Sequence, residues 1–97
     1  MAYGPDWTGM REYAPVTWLS LHQEVQNVEW PPGKIARLIP RHSPIPVRAR
    51  VEFAKDGEVW LEGQAIRWVR PVVFVRLNDA RIRGFGLWLS AGDVRRT

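Results

Sequence analysis

The chain has 97 residues, of which 45% are hydrophobic and 25% are charged, and its formal net charge is +4. A chain of this length and composition is expected to form one domain around a single hydrophobic core. It contains no cysteine, which excludes disulfides, and His22 and His42 alone do not make a zinc site. Charged residues interrupt every apolar run and the first thirty residues lack a signal-peptide pattern, so we expect a cytoplasmic protein that does not enter membranes.

The first 46 residues form an N-terminal region with its own composition. Seven of the eight prolines lie there, and because proline lacks a backbone donor, we expect residues 1–46 to wrap around a sheet and not to form its centre. Residues 1–15 are predicted to be an extended arm. Its aromatic side chains, Tyr3, Trp7 and Tyr13, require burial on this chain or on a partner.

A short helix is predicted after the arm. Thr17 is a suitable N-cap, and Pro31 ends any helix before it. The apolar residues between them recur at spacings of three and four, which is the helical period; they are Trp18, Leu21, Val25 and Val28. The alternation of Leu19 and Leu21 leaves open a strand at the start of this segment. Residues 40–46 are predicted to be an extended, polyproline-like connector.

Residues 47–97 have the period of β-strands. Apolar side chains alternate with polar ones from Val47 to Ala54, which predicts a half-buried strand. Asp56-Gly57 then predicts a two-residue hairpin turn. Residues 58–69 form a long second strand with a bend at Gly63, and residues 72–77 and 85–89 form the third and fourth strands. Residues 90–94 are predicted to make one tight turn into a last short pairing segment.

Four strands in meander order, the bent second strand and the closing sequence Trp88-Leu89-Ser90-Ala91-Gly92-Asp93-Val94-Arg95 together resemble the end of an SH3-like small β-barrel. The resemblance covers residues 47–97 and is to the type of barrel frequent in actinobacterial and actinophage genomes. It implies a tryptophan-containing strand that runs into one helical turn and a fifth strand. The acidic loops and paired aromatics of peptide-binding SH3 families are not found, so recognition of proline-rich ligands is not implied. The expected fold is mainly β, either a small SH3-like barrel or a bent antiparallel meander, with an N-terminal arm and one short helix.

An outer face of this sheet is the candidate binding surface. Trp60 and Trp88 are out of phase with their apolar neighbours and are expected to point outward, whereas Trp68 is expected in the core with Ile66 because the bend at Gly63 reverses the phase. Aromatic side chains interleaved with arginine are typical of a nucleic-acid interface. The candidate residues are Arg48, Arg50, Trp60, Phe74, Arg76, Arg81, Arg83 and Trp88, with Arg95 and Arg96 at the tail. The alternative is that the N-terminal half packs over this face.

The charge distribution leads to two hypotheses about function. Residues 1–46 carry four basic and four acidic side chains, whereas residues 47–97 carry ten basic and six acidic ones. The first hypothesis is an accessory protein that contacts nucleic-acid phosphates through its arginines. The alternative is a protein-interaction or assembly module, of phage or bacterial origin, whose aromatic arm binds a partner or a second copy.

Catalysis is not expected. The sequence has neither a Gly-rich phosphate loop nor a G-x-S-x-G nucleophile motif. Glu52, Glu58 and Glu62 lie on predicted strands, where pairing with arginine accounts for them. We therefore predict no enzymatic activity, no cofactor and no small-molecule substrate.

Overall fold

A computed structural model of the chain describes residues 21–33 and 38–97, which contain one five-stranded antiparallel sheet. The strands are β1 (Ile45–Phe53), β2 (Gly57–Val69), β3 (Val72–Leu77), β4 (Gly86–Ser90) and β5 (Val94–Arg96). Their spatial order is β4-β3-β2-β1-β5, so consecutive hairpins form the meander and β5 returns to pair with β1. The prediction of a mainly β fold is confirmed. The sheet is an open meander and not a closed barrel, because β4 and β5 remain at its two edges.

The inner face of the sheet carries the main core, as the alternation along β1 predicted. Val47, Ala49, Val51 and Phe53 are all buried, and they pack with Val75 of β3 and Leu89 of β4. Burial of such side chains contributes on the order of 1.5–3 kcal/mol each. Residues Ala91–Asp93 form a single 3-10 turn before β5, where the sequence predicted a tight turn. Within the described ranges, no helix is long and apolar enough to span a bilayer.

The first hairpin differs from its prediction in the length of the turn. Phe53 pairs with Gly57, so three residues, 54–56, connect β1 and β2 in place of a two-residue Asp56-Gly57 turn. Gly57 has φ 75°, a left-handed conformation that favours glycine. Gly57 is the first residue of β2, and a left-handed glycine where a short turn meets the second strand is a common hairpin geometry.

The irregularity in β2 lies three residues beyond the predicted bend. Gly63 keeps regular pairing with both neighbouring strands, and the register shifts between Ala65 and Arg67, which leaves Ile66 without a partner on β3. The side-chain phase therefore reverses after Ile66 and not at Gly63. Trp68 packs against the main core as predicted. Ile66 is buried as predicted, but on the outer face beside Phe74 and Trp88 and not with Trp68.

The predicted helix is wrong for the part of it that the structure describes. From Leu21 onward the chain is extended, and Val25 and Val28 form isolated bridges with Phe53 and Leu89. Backbone N–H groups here donate to carbonyl oxygens of other segments, for example from Glu29 to Trp88 at 2.9 Å, and not along a helix. The two valines are therefore three residues apart because an extended segment contacts β1 at Phe53 and β4 at Leu89. Thr17 and Trp18 lie outside the described residues, as do Tyr3, Trp7 and Tyr13 of the arm.

The chain that leads into the proline-rich connector covers part of the outer face. Ile39 packs against Val72 and Trp88, and Trp88 is only 5% exposed. The chain before β1 also contacts β2, where the ring of His42 stacks on Trp68 of the inner face with centroids 4.3 Å apart, and the His42 backbone N–H donates to the Ile66 carbonyl oxygen at 2.7 Å. The outer face is therefore partly occupied by the first half of the chain, which was the alternative raised by the sequence.

Candidate functional site

Five of the eight predicted outer-face residues line two separate concave surfaces. The larger, which we call the aromatic groove, has a volume of ≈ 500 Å³ and is lined by Ile66, Phe74, Phe85 and Trp88 together with Arg41, Arg67 and Arg76. The smaller, which we call the arginine patch, has a volume of ≈ 340 Å³ and is lined by Arg48, Trp60, Arg95 and Arg96. The single face that the sequence predicted, with Trp60, Phe74 and Trp88 side by side, is thus split in two.

Cross-strand pairing assembles the arginine patch. Arg48 is opposite Arg95 on the paired strands β1 and β5, and the Arg95 guanidinium carbon lies 5.1 Å from the centre of the Trp60 ring. The indole N–H of Trp60 donates to the Glu58 carboxylate at 3.2 Å, which orients the ring. A guanidinium over an indole face is attracted by the ring quadrupole. Arg48, Arg95 and Arg96 are all exposed, so their charges face solvent.

The aromatic groove has a packed floor and an exposed rim. Phe74 and Trp88 pair across β3 and β4, with ring centroids 5.3 Å apart at an interplanar angle of 62°. Ile66 reaches the same face because of the irregularity in β2. Phe85 stands at the rim, where it is 83% exposed. The groove therefore combines a supported apolar surface with one free aromatic ring.

Arg50 of the predicted site is held by three carboxylates. Its guanidinium lies 3.0 Å from Glu52, 3.4 Å from Glu58 and 2.9 Å from Asp93. Glu52 and Glu58 are directly opposite in the β1–β2 register, an arrangement of like charges that costs stability unless a cation lies between them. Hydrogen bonds to Glu52 and then Asp93 raise the pKa of Arg50 further above its usual value. Arg50 therefore links strands of the sheet, and its charge is compensated within the chain.

Arg81 of the predicted site is compensated in the same way. Its guanidinium lies 3.0 Å from Asp56 and 2.9 Å from Asp79, and its carbon lies 4.4 Å from the centre of the Phe53 ring. The hydrogen bonds from Arg81 lower the pKa of both aspartates below the usual range. Arg83, by contrast, is exposed and lies beside His22, Gln23 and Glu24, away from the two concave surfaces.

These ion pairs separate the charges of residues 47–97. Arg50 and Arg81 engage five of the six carboxylates in this range, and only Glu62 remains. The other eight basic side chains have no carboxylate of the described residues within ion-pairing distance. They are Arg48, Lys55, Arg67, Arg70, Arg76, Arg83, Arg95 and Arg96. The two ion-pair clusters, with two arginines and five carboxylates, together carry a formal charge of −3, and the other charged residues of this range, eight basic and one acidic, carry +7. The positive charge is therefore concentrated outside the clusters.

Sequence reasoning missed four residues of the aromatic groove, namely Arg41, Ile66, Arg67 and Phe85. The alternation with Leu87 and Leu89 predicted that Phe85 is the first residue of the fourth strand. In the structure β4 begins at Gly86, and Phe85 lies in the loop before it. Arg67 reaches the groove only because β2 carries an extra residue at Ile66. A glycine on each side of Phe85 was the one local signal that this residue belongs to a loop.

Comparison of the chain with protein-family models, with curated proteins and with solved structures gave no significant match. Among residues 21–33 and 38–97, no cluster of three or more metal-binding side chains is present. Function is therefore inferred from the geometry and the charge of the two surfaces.

Proposed function

We propose that this protein is a non-enzymatic accessory protein that binds the phosphate backbone of nucleic acid through exposed arginines of its sheet. The observation that carries the proposal is the separation of charge in residues 47–97, where two arginines and five carboxylates form clusters of net charge −3, and the other eight basic side chains and Glu62 carry +7. Uncompensated cations attract a polyanion because its bound counterions are released when phosphates are neutralised.

The arginine patch is the best candidate for phosphate contact. Arg48 is opposite both Glu62 on β2 and Arg95 on β5, so Glu62 offsets part of the charge of Arg48. Arg95 and Arg96 retain theirs. The guanidinium group presents several N–H donors in a fixed plane, which suits bidentate contact with phosphate oxygens. Arg50 and Arg81, which the sequence also proposed, are assigned structural ion pairs in place of phosphate contacts.

The test is a binding titration by fluorescence anisotropy with a labelled DNA fragment at several salt concentrations. Alanine at both Arg95 and Arg96 should weaken binding and reduce the slope of log affinity against log salt by about 1.4–1.8, which corresponds to two lost phosphate contacts. Alanine at both Lys55 and Arg70 is the control matched in charge, because both are exposed turn residues that line neither surface. Parent protein that does not bind DNA or RNA at low salt would overturn the proposal.

A second function, a protein-interaction or assembly module, is favoured by a different observation. Trp30 and Leu38, both in the N-terminal half, are 68% and 78% exposed. Large exposed apolar side chains are common at protein interfaces. Light scattering of the purified protein distinguishes the two functions. A mass of one chain over a wide concentration range contradicts self-assembly, whereas a larger particle that does not bind nucleic acid supports it.

A further inference from the structure

The aromatic groove differs from the arginine patch in its chemistry. Its floor is apolar and largely buried, and is formed by Ile66, Phe74 and Trp88. These side chains define the shape of the groove but expose little ring surface on which a ligand could stack. Phe85 is the exception, since four-fifths of it is open to solvent. An exposed ring beside a supported apolar floor is suited to a flat ligand that slides between them.

Three guanidinium groups line the same groove. Arg41, Arg67 and Arg76 are not within ion-pairing distance of any carboxylate in the described ranges, and the groove has no acidic lining residue. Arg76 donates a hydrogen bond to the side-chain oxygen of Gln64, which holds it along the strand and leaves its charge intact. A ligand that fits must therefore carry both a flat apolar part and negative charge. A nucleotide with its base unpaired has both, since the base stacks on an aromatic ring and the phosphates meet the arginines.

The two surfaces lie along one strand. Trp60 of the arginine patch and Ile66 of the aromatic groove are both on the outer side of β2, with Glu62 and Gln64 between them. Six residues of strand span about 20 Å. A flexible single strand can follow this path and present one base at the groove while its phosphates reach the arginine patch. A duplex keeps its bases stacked and cannot place one against Phe85.

We propose that the aromatic groove binds an unpaired nucleobase stacked on Phe85, with neighbouring phosphates held by Arg67 and Arg76, and that the protein therefore prefers single-stranded to double-stranded nucleic acid. This inference rests on the proposed function, because it specifies the class of nucleic acid that the same basic protein binds.

The test compares a labelled oligothymidylate with a duplex of the same length. Phe85→Ala should reduce affinity for the single strand by about 5- to 150-fold, the usual loss for one base–aromatic stack, and leave duplex affinity unchanged. Phe85→Trp should retain single-strand affinity. Because Phe85 is exposed, neither variant should change thermal stability, which circular dichroism checks. Trp30→Ala is the matched control, since Trp30 is an exposed aromatic residue that does not line the groove.

The outcomes separate this inference from the proposed function. If the parent binds both nucleic acids equally and Phe85→Ala has no effect, the base-stacking assignment is wrong and phosphate binding stands. If the parent binds neither, both proposals fail. If polyglutamate competes as well as oligothymidylate, the groove recognises acidic chains in general, which overturns the assignment to a nucleobase.

Discussion

Asn27 is expected to hold the free edge of β1, and its replacement tests how the N-terminal segment is attached. β5 pairs with β1 only from Val47 to Ala49. Beyond that point the Asn27 carboxamide continues the ladder: its Nδ2 donates to the Arg50 carbonyl oxygen at 2.9 Å, and its Oδ1 accepts from the Glu52 backbone N–H at 2.8 Å. Nδ2 also donates to the Asp93 carboxylate at 3.1 Å.

Asn27→Ala removes these three hydrogen bonds and leaves two backbone groups of β1 without this partner. At about 1 kcal/mol each, the loss is about 2–3 kcal/mol in the free energy of unfolding. For a domain of this size that corresponds to a melting temperature lower by roughly 10–20 °C. Urea and thermal denaturation, followed by tryptophan fluorescence and circular dichroism, measure both quantities.

Gln26→Ala is the matched control for this prediction. Gln26 is the adjacent exposed residue, and it contacts Glu52 through its backbone N–H, which alanine keeps. Its variant should unfold like the parent. Asn27→Asp keeps the acceptor for Glu52 but loses both donors and places a carboxylate beside Asp93, so at neutral pH it should be at least as destabilised as Asn27→Ala. An Asn27→Ala protein that melts with the parent, or a Gln26→Ala protein that is equally destabilised, would refute the edge-capping role.

Two further stability predictions follow from close contacts. Gly63→Ala should lower the free energy of unfolding by about 1–3 kcal/mol, because the new Cβ would lie 2.5 Å from a carbonyl oxygen of β3. Gly92→Ala is the control: its Cβ would lie 3.8 Å from the nearest atom, so its thermal melt should match that of the parent. Arg81→Met should lower stability at neutral pH and progressively less below about pH 4. Arg81 depresses the pKa of Asp56 and Asp79 in the folded state, so its stabilisation is present above their unfolded pKa and is lost as the pH falls through their folded values. A stability difference between parent and Arg81→Met that stays constant from neutral pH to pH 2 would contradict this assignment.

Much of the sheet was predictable because its determinants are local. The alternation along β1 requires only that one side of a strand be buried, and Val47, Ala49, Val51 and Phe53 satisfy it without reference to any partner. The third strand was predicted with its observed bounds, Val72–Leu77. The need for glycine at position 57 was also visible locally, although the length of the turn was not, since it depends on which residue Phe53 pairs with.

The candidate site depended on contacts between distant parts of the chain. Whether an arginine is free for a ligand is set by the strand register and by the turn after β4, which bring Glu52, Glu58 and Asp93 to Arg50; the sequence shows all four residues but not their meeting. The extra residue at Ile66 reverses the alternation of side chains along β2, so that Arg67 lines the aromatic groove. Such a bulge is defined by the pairing of β2 with β3, and no repeating pattern in the sequence indicates its position.

The N-terminal segment shows the same division between sequence and structure. Val25 and Val28 have a spacing that fits a helix, and only the positions of Phe53 and Leu89 in the folded sheet make an extended path more favourable. The sequence alone thus shows which residues are apolar and how far apart they lie. The tertiary structure decided what they contact, because hydrogen bonds and burial on an existing sheet outweigh the weak intrinsic preference of a short segment.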